Sequence, residues 1–525
     1  MLKFMLYFTS QKKGIFIVSQ TQKPIRWWPL FVILGLAILG IIVIWIVEAG
    51  HRQDKVFWIA LVVILTTLLG ILWLLCFSRL RWQIRLLAVA IVLLCVFLST
   101  SLFQFKGFSG DLTPIFEWRW QEKPTTFRQD SGSTSNTEMS AMDYPQYLGQ
   151  HRNGVVSGLK LNLDWDTHPP KLVWRQPVGA GWSGFAVVGN SAITQEQEAD
   201  WEKVVCYELH TGGIKWSHQD RARYNAPPAG LGPRATPTIS ENRVYTVGST
   251  GILNCLDFET GEQLWTTNIF EENQANPPPW GVSISPLVFD ELVIVSAGGA
   301  VAHHKETGET VWTGYRTQTG YSSPFVTRLL DTEQIVLFNQ GLITAHEPFT
   351  GKLLWKQPWV ETYAECVAQP VPISDDTLLA STGYGAGAKL YQLSRNPTGE
   401  FDVSIIWETI NLKAKFTNII YYDGYLYGLD DGIFACINPT DGTRQWKRGR
   451  YGHGQTLLIS DVLLVTTESG DVVLIEPTPE RHIEHARFAA LTGKTWNTPA
   501  LAGRYLLVRN DREAACYELA VINTQ

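Results

Sequence analysis

The chain has 525 residues, too many for one compact core, so it divides into domains or builds a repeat array. Charged residues make up 18%, a deficit that lies in the strongly apolar first hundred residues, while 21 Trp and 44 Gly suit a turn-rich repetitive β-structure. The net charge of −6 and pI near 6.0 carry no basic bias and argue against a nucleic-acid partner.

Residues 1–28 are expected as a cytoplasmic N-terminal segment, followed by three charge-free stretches at 29–47, 56–78 and 86–105. At 1.5 Å per residue, about 20 apolar residues cross the hydrocarbon core, so these are predicted as three transmembrane helices. A cleaved signal peptide would have a shorter apolar region and no second and third span. Lys3, Lys12, Lys13, Lys23 and Arg26 precede the first span; Arg79, Arg81 and Arg85 lie between the second and third. The loop between the first two is nearly balanced, with Arg52 and Lys55 against Glu48 and Asp54. The positive sides are expected in the cytoplasm, which puts everything after Phe105 on the periplasmic or extracellular side of the cytoplasmic membrane. Trp27, Trp28 and Trp58 stand at span ends, as interfacial aromatics do. The spans contain no Asp, Glu, Lys, Arg or His, so they read as an anchor and not as an ion pathway.

Residues 106–143 are predicted as a linker, in which Gln129–Met142, with its Ser, Thr, Gly and Asn, is polar and without a hydrophobic period. From 144 to 525 the chain repeats. Trp174, Trp216, Trp265, Trp312, Trp355, Trp407, Trp446 and Trp496 recur at intervals of 39 to 52 residues. Gly212, Gly261, Gly308, Gly351 and Gly442 lie four residues before their Trp, and Gly493 three before. The unit ending at Trp407 departs, with Thr398-Gly399 eight residues upstream. Each unit carries four short strands, such as Ala235-Thr-Pro-Thr-Ile, Arg243-Val-Tyr-Thr-Val, Leu253-Asn-Cys-Leu-Asp and the Trp strand. Four strands in a unit of this length make a propeller blade. The last unit, Pro499–Leu519, supplies three strands, and Lys171-Leu-Val-Trp-Arg-Gln-Pro-Val supplies the fourth. That pairing closes the ring, removes its free edges and counts eight blades of four antiparallel strands, an all-β propeller. A solenoid would leave both ends open. The eight tryptophans are expected to fill the widening gap between blades.

Cys255-Leu-Asp-Phe-Glu-Thr-Gly-Glu-Gln-Leu-Trp265 and Cys436–Trp446 resemble the unit of the PQQ-like propeller repeat family, roughly Ala-Leu-Asp-x-x-Thr-Gly-x-x-x-Trp. The resemblance covers about Tyr144 to Leu519, including the lead-in Tyr144-Pro-Gln-Tyr-Leu-Gly-Gln-His-Arg-Asn-Gly154. It implies either a quinoprotein alcohol dehydrogenase-like enzyme or a BamB-like non-enzymatic scaffold, since fold alone does not choose between functions.

Cys206, Cys255 and Cys436 each sit six residues before a turn glycine, where other blades have Ala302 and Ala345, and Cys516 shares their context. The position takes a small apolar side chain, and equivalent positions in different blades lie too far apart for a disulfide. His304 occupies the polar pre-turn position of Glu208, Asp257, Glu347 and Asn438, so His303-His304 is not read as a metal site. Gly383-Tyr-Gly-Ala-Gly-Ala lies between blade strands and reads as a tight connection, not a phosphate cradle.

Loops entering the innermost strands furnish the candidate ligand site at the central funnel: Arg234, Trp280, Tyr321, Glu365, Lys415, His453 and Arg509, with Tyr384 from the glycine-rich turn. The favoured function is a membrane-anchored extracytoplasmic binding or scaffold module for a protein or envelope polymer, with no cofactor and no metal. The alternative is a PQQ-dependent alcohol or sugar dehydrogenase using PQQ and Ca²⁺. Enzymes of that group commonly carry an adjacent Cys-Cys disulfide; this chain has no such pair, and no catalytic residue is assigned.

Overall fold

The computed structural model describes residues 25–47, 52–120, 126–128, 140, 142–227, 229–359 and 365–522. The lead segment up to residue 24 and nearly all of the tether at 129–142 lie outside the described residues.

The chain forms two units, one of apolar helices and one built on the propeller. In the first, α1 (Trp28–Ile46), α2 (Arg52–Leu72, its first two residues grouped with the second unit, continued by a π turn at Trp73–Phe77) and α3 (Trp82–Leu102) are each long and apolar enough to cross a membrane. No side chain of α1 or α3 is buried within the protein, which suits helices whose surroundings are lipid. Thr66 and Thr67 return their hydroxyls to the carbonyls of Val62 and Val63 at 2.7 and 2.8 Å, so their polarity is satisfied locally. The third helix stops at Leu102, three residues earlier than the apolar run, and Phe103 begins a strand.

The second unit is the eight-bladed propeller. Its first seven blades open with innermost strands at Ala186–Val188, Thr238–Ser240, Leu287–Phe289, Phe325–Leu329, Val371–Pro372, Ile419–Tyr422 and Gln455–Ile459. Each continues outward through three antiparallel neighbours. The eighth blade combines Ala500–Ala502, Tyr505–Arg509 and Glu513–Glu518 with Lys171–Pro177, Cys516 facing Trp174. The ring thus closes by joining the two ends of the propeller sequence, as expected.

Seven tryptophans share one register. Trp216 faces Cys206, Trp265 Cys255, Trp312 Ala302 and Trp446 Cys436, each beside a β-bulge. The small partner leaves room for the ring, which crosses to the next blade. There the indole N–H donates to a backbone carbonyl: Trp174 to Leu209 at 2.7 Å, Trp216 to Phe258 at 2.9 Å, Trp312 to Pro348 at 3.0 Å and Trp407 to Pro439 at 2.8 Å. The same ring packs under the next blade's turn glycine, so a Cβ at Gly261 or Gly351 would strike Trp216 or Trp312. Those glycines also hold φ of +73° and +68°, a region that L side chains avoid. Trp355 differs because the fifth blade has nine-residue outer strands, Gly387–Arg395 and Phe401–Thr409, which carry the Gly399 turn away. Its N–H goes instead to Gln334 Oε1 of its own blade at 2.6 Å.

Trp496 corrects the expected pattern. In the seventh blade the tryptophan register position is Ala486, opposite Leu474. Trp165, ahead of the closing strand, stacks edge-on against Phe488 at 5.2 Å, and Phe488 meets Tyr517 of the eighth blade at 4.8 Å. Aromatic rings from other positions thus join blades seven and eight. Trp496 lies in the loop entering the eighth blade and belongs to the funnel.

The stretch expected as a linker also holds structure. Two strands, β1 (Phe103–Phe108) and β2 (Pro114–Trp118), form a hairpin, and Phe127–Arg128 pairs with the closing strand Lys171–Pro177. Further on, Tyr144 pairs with Val187, Pro145 accepts from Ile239 N, and Val155–Val156 pairs in parallel with the seventh blade's inner strand. Between them the buried Arg152 donates to Ser285 O and Pro286 O at 3.0 and 2.9 Å, while its carbonyl accepts from Gln369. The lead-in therefore links inner strands from several blades around the axis.

Candidate functional site

The innermost strands are held in register by a belt of small polar groups. Gly184 N donates to Thr236 Oγ1, Thr236 N to Ser285 Oγ, and Ser285 N to Ser323 Oγ, at 2.9–3.2 Å. Thr456 N likewise donates to Asn418 Oδ1 at 3.0 Å. These bonds fix the start of each strand, so a residue four positions ahead of it is delivered to the funnel wall. Trp182, Arg234, Tyr321, Lys415 and Trp496 all stand four residues ahead of their inner strands.

Seven of the eight expected residues fall into connected groups on this wall. Trp280 donates its indole N–H to Glu365 Oε1 at 3.0 Å, and its backbone N–H to Tyr321 Oη at 3.3 Å. Burial raises the Glu365 carboxyl, with the Trp280 bond opposing it, and burial raises the Tyr321 phenol. Lys415 Nζ stands 4.8 Å from the centre of the Tyr384 ring, and Phe416 bridges onward to His453 at 5.0 Å. Burial lowers the Lys415 ammonium to about 8, with Asp111, Asp431 and Glu468 opposing that shift. Arg234 lies 5.0 Å over Tyr224, and burial brings its guanidinium down to about 10.

Arg509 is the exception. It donates to Thr194 Oγ1, Gln195 O and Gly179 O at 2.7–3.0 Å and is 1% exposed. It stitches the eighth blade to the first and does not line the funnel.

Several lining residues were not singled out from sequence. Lys494 sits between Trp182 and Trp496, 4.7 and 4.0 Å from their ring centres. Glu468 accepts from Trp496 Nε1 at 2.8 Å and His453 N at 3.2 Å. The spacing of four residues before each inner strand is the signal that finds Trp182 and reassigns Trp496. Glu468 and Lys494 lie off that spacing and are brought in by loop paths.

The funnel holds a segment of its own chain. The β1–β2 turn, Ser109–Thr113, closes on itself: Ser109 N donates to Thr113 O at 2.8 Å, and Ser109 Oγ accepts from Asp111 N and Thr113 N. From it Gly110 N donates to Glu468 Oε1 at 2.6 Å, and Gly110 O accepts from Lys415 Nζ. Asp111 Oδ1 lies 3.0 Å from His453 Nε2, and its Oδ2 lies 2.7 Å from Arg52, whose short stretch packs with the propeller unit. Lys494 Nζ donates to Phe108 O at 3.3 Å, and Arg512 pairs with Glu117 at 2.7 Å. Burial pushes the Asp111 carboxyl up, but the hydrogen bond and charge of His453, with Arg52 and Lys415, outweigh it and hold the pKa below the ordinary value.

The carboxylates on this wall are engaged within the protein. Glu365 accepts from an indole N–H, Glu468 from an indole and two backbone N–H groups, and Asp111 meets His453 and Arg52. Among the described residues no three His, Cys, Asp or Glu side chains converge as metal ligands.

A propeller with this repeat is matched by the family model described as "Outer membrane protein assembly factor BamB", over residues 170–448 and 339–519. The match covers well over half of the chain, and the protein belongs to that family. It is 24% identical over 299 residues to a quinoprotein ethanol dehydrogenase of Pseudomonas putida, covering 47% of this chain and 46% of that one. It is 26% identical over 247 residues to the outer membrane protein assembly factor BamB of Burkholderia pseudomallei, covering 42% and 57%. The chain thus spans about half the length of these relatives. The crystal structure of quinohemoprotein alcohol dehydrogenase from Comamonas testosteroni superposes with a TM-score of 0.54 at 13% identity, over 73% of this chain and 81% of that one, a likeness of fold.

Proposed function

We propose that this protein is a binding module: a propeller carried on the cytoplasmic membrane by three spans, facing the extracytoplasmic side, and presenting its funnel to a protein or envelope-polymer partner without a cofactor. The observation that carries this reading is that the funnel engages polypeptide. Glu468 takes a backbone N–H, Lys415 a backbone carbonyl and His453 a carboxylate, all from one turn. Aromatic surfaces at Trp182, Trp496, Tyr384 and Tyr224 frame those polar contacts, the mix of apolar body and few aimed polar groups that recognition sites use. Membership of the BamB-described family supports the reading, and the Lys and Arg distribution around the spans supports the orientation.

A photo-crosslinking residue placed at Tyr224 in the full chain should give discrete adducts in intact cells. The same residue at Ile214, exposed on an outer strand, should not. Equal labelling patterns from both positions would remove the funnel as the binding surface. The dehydrogenase reading has the quinoprotein similarity in its favour. Titrating the detergent-solubilised protein with PQQ and Ca²⁺ separates the two: a saturable one-to-one absorption shift favours the enzyme, and a flat titration favours the module.

A further inference from the structure

The funnel contacts are more specific than a general affinity for polypeptide, and the chain itself supplies a competitor for them. We propose that the funnel is a receptor for an acidic tight turn in which glycine precedes aspartate, held closed in cis by Ser109–Thr113, so that a partner bearing such a turn binds by displacing the hairpin. This deepens the binding-module reading and rests on it.

The glycine requirement comes from His453. A Cβ at Gly110 would run into the His453 ring, which itself is wedged against Phe416 and 1% exposed. The ring therefore cannot yield easily, and a side chain at that position of the ligand is excluded. The aspartate requirement comes from the groups that meet the carboxylate: His453 Nε2 at 3.0 Å on one oxygen and Arg52 Nε at 2.7 Å on the other, with the buried Lys415 ammonium nearby. The backbone readout by Glu468 and Lys415 then fixes the turn's orientation, since one takes only a donor and the other only an acceptor. The three contacts lie on two successive residues, which a free small anion would not satisfy together.

The cis segment is suited to be a displaceable occupant. Its turn is shaped by its own hydrogen bonds, so little ordering is needed on docking. Its strands bury little: Phe105, Phe116 and Trp118 are 49%, 59% and 46% exposed. Beyond the turn, Lys494 donates to Phe108 O and Arg512 pairs with Glu117. A tethered ligand enjoys an effective concentration of about a millimolar, so it outcompetes a micromolar ligand in trans unless that ligand binds more tightly. The apparent affinity of the trans ligand falls by the fraction of funnels that are open.

The test uses the full-length protein in detergent and a fluorescein-labelled cyclic peptide carrying Ser-Gly-Asp-Leu-Thr, followed by polarisation. Gly110→Val should expel the cis turn and tighten peptide binding at least about tenfold over the unmodified protein. Asp111→Ala, a milder change outside every blade, should act in the same direction. Adding His453→Ala to either variant should abolish the gain, and a peptide with Ala in place of Gly should fail to bind the proteins that keep His453. The proposal is overturned if the opened variants, shown folded by circular dichroism, bind no better than the unmodified protein. It is overturned equally if Gly and Ala peptides bind alike. If partners crosslink at Tyr224 while the peptide does not bind, the binding module stands and the Gly-Asp receptor falls.

Discussion

Tryptophan plays two parts in this propeller, and the contrast separates architecture from function. Trp174, Trp216, Trp265, Trp312, Trp407 and Trp446 lie on outer strands and donate across to a neighbouring blade's backbone. Trp182, Trp280 and Trp496 lie at the inner end, where their N–H groups or faces meet the funnel's charged side chains. The outer set repeats because every blade gap poses the same packing problem. The inner set is irregular because the eight loops around an axis need not be alike. Regularity marks residues that build the ring, and departure from it marks residues free to specialise.

Substitutions can break this distinction. The largest effect is expected for Trp174→Ala, which empties a fully buried gap at ring closure and orphans the Leu209 carbonyl: a loss of about 3–5 kcal/mol, read by denaturant unfolding. Gly351→Ala should cost about 2–3 kcal/mol, because φ is +68° and the new methyl meets the Trp312 ring. The matching Gly399→Ala should cost only about 1–2 kcal/mol, since φ is again positive but nothing lies against it. If both glycines cost the same, the inter-blade tryptophan contact adds nothing to backbone strain.

Trp496→Ala is expected to cost about 1–2 kcal/mol, through the lost Glu468 bond and Lys494 contact, while reducing funnel binding strongly. A stability loss as large as that of Trp174→Ala would return Trp496 to the structural set. A further effect concerns pH. The Lys415 ammonium has a folded pKa near 8 against an ordinary 10.5. Between those values the unfolded chain binds the extra proton, so this group's contribution to stability rises as pH goes from about 8 to above 10. Below pH 8 the full burial penalty is present. Lys415→Met should flatten that rise, as read by unfolding midpoints across the alkaline range.

The periodic Trp, the turn glycines and the small strand partner made the eight blades legible, because each is required once per blade by local sterics. The split of the eighth blade was legible too, since Pro499–Leu519 lacks a Trp strand and Lys171–Val178 has one to spare. Spacing misled at Trp496, which sits 50 residues after Trp446 and three after Gly493, although its register slot is held by Ala486. Linear interval does not distinguish a strand position from the next loop when a blade's outer strand is displaced. Arg509 misled for a related reason: a charged residue near an inner strand reads as funnel lining, but its guanidinium turns toward carbonyls of the adjoining blade.

The sequence by itself determined the apolar spans, the blade unit, the blade number and the closure, all properties of short-range pattern repeated along the chain. Only the tertiary structure decided that Ser109–Thr113 enters the funnel, and that Glu468, His453 and Lys415 converge on Gly110 and Asp111. Those partners stand more than 300 residues apart in sequence. No local propensity encodes such a meeting; it follows from a closed ring bringing eight distant loops to a common axis.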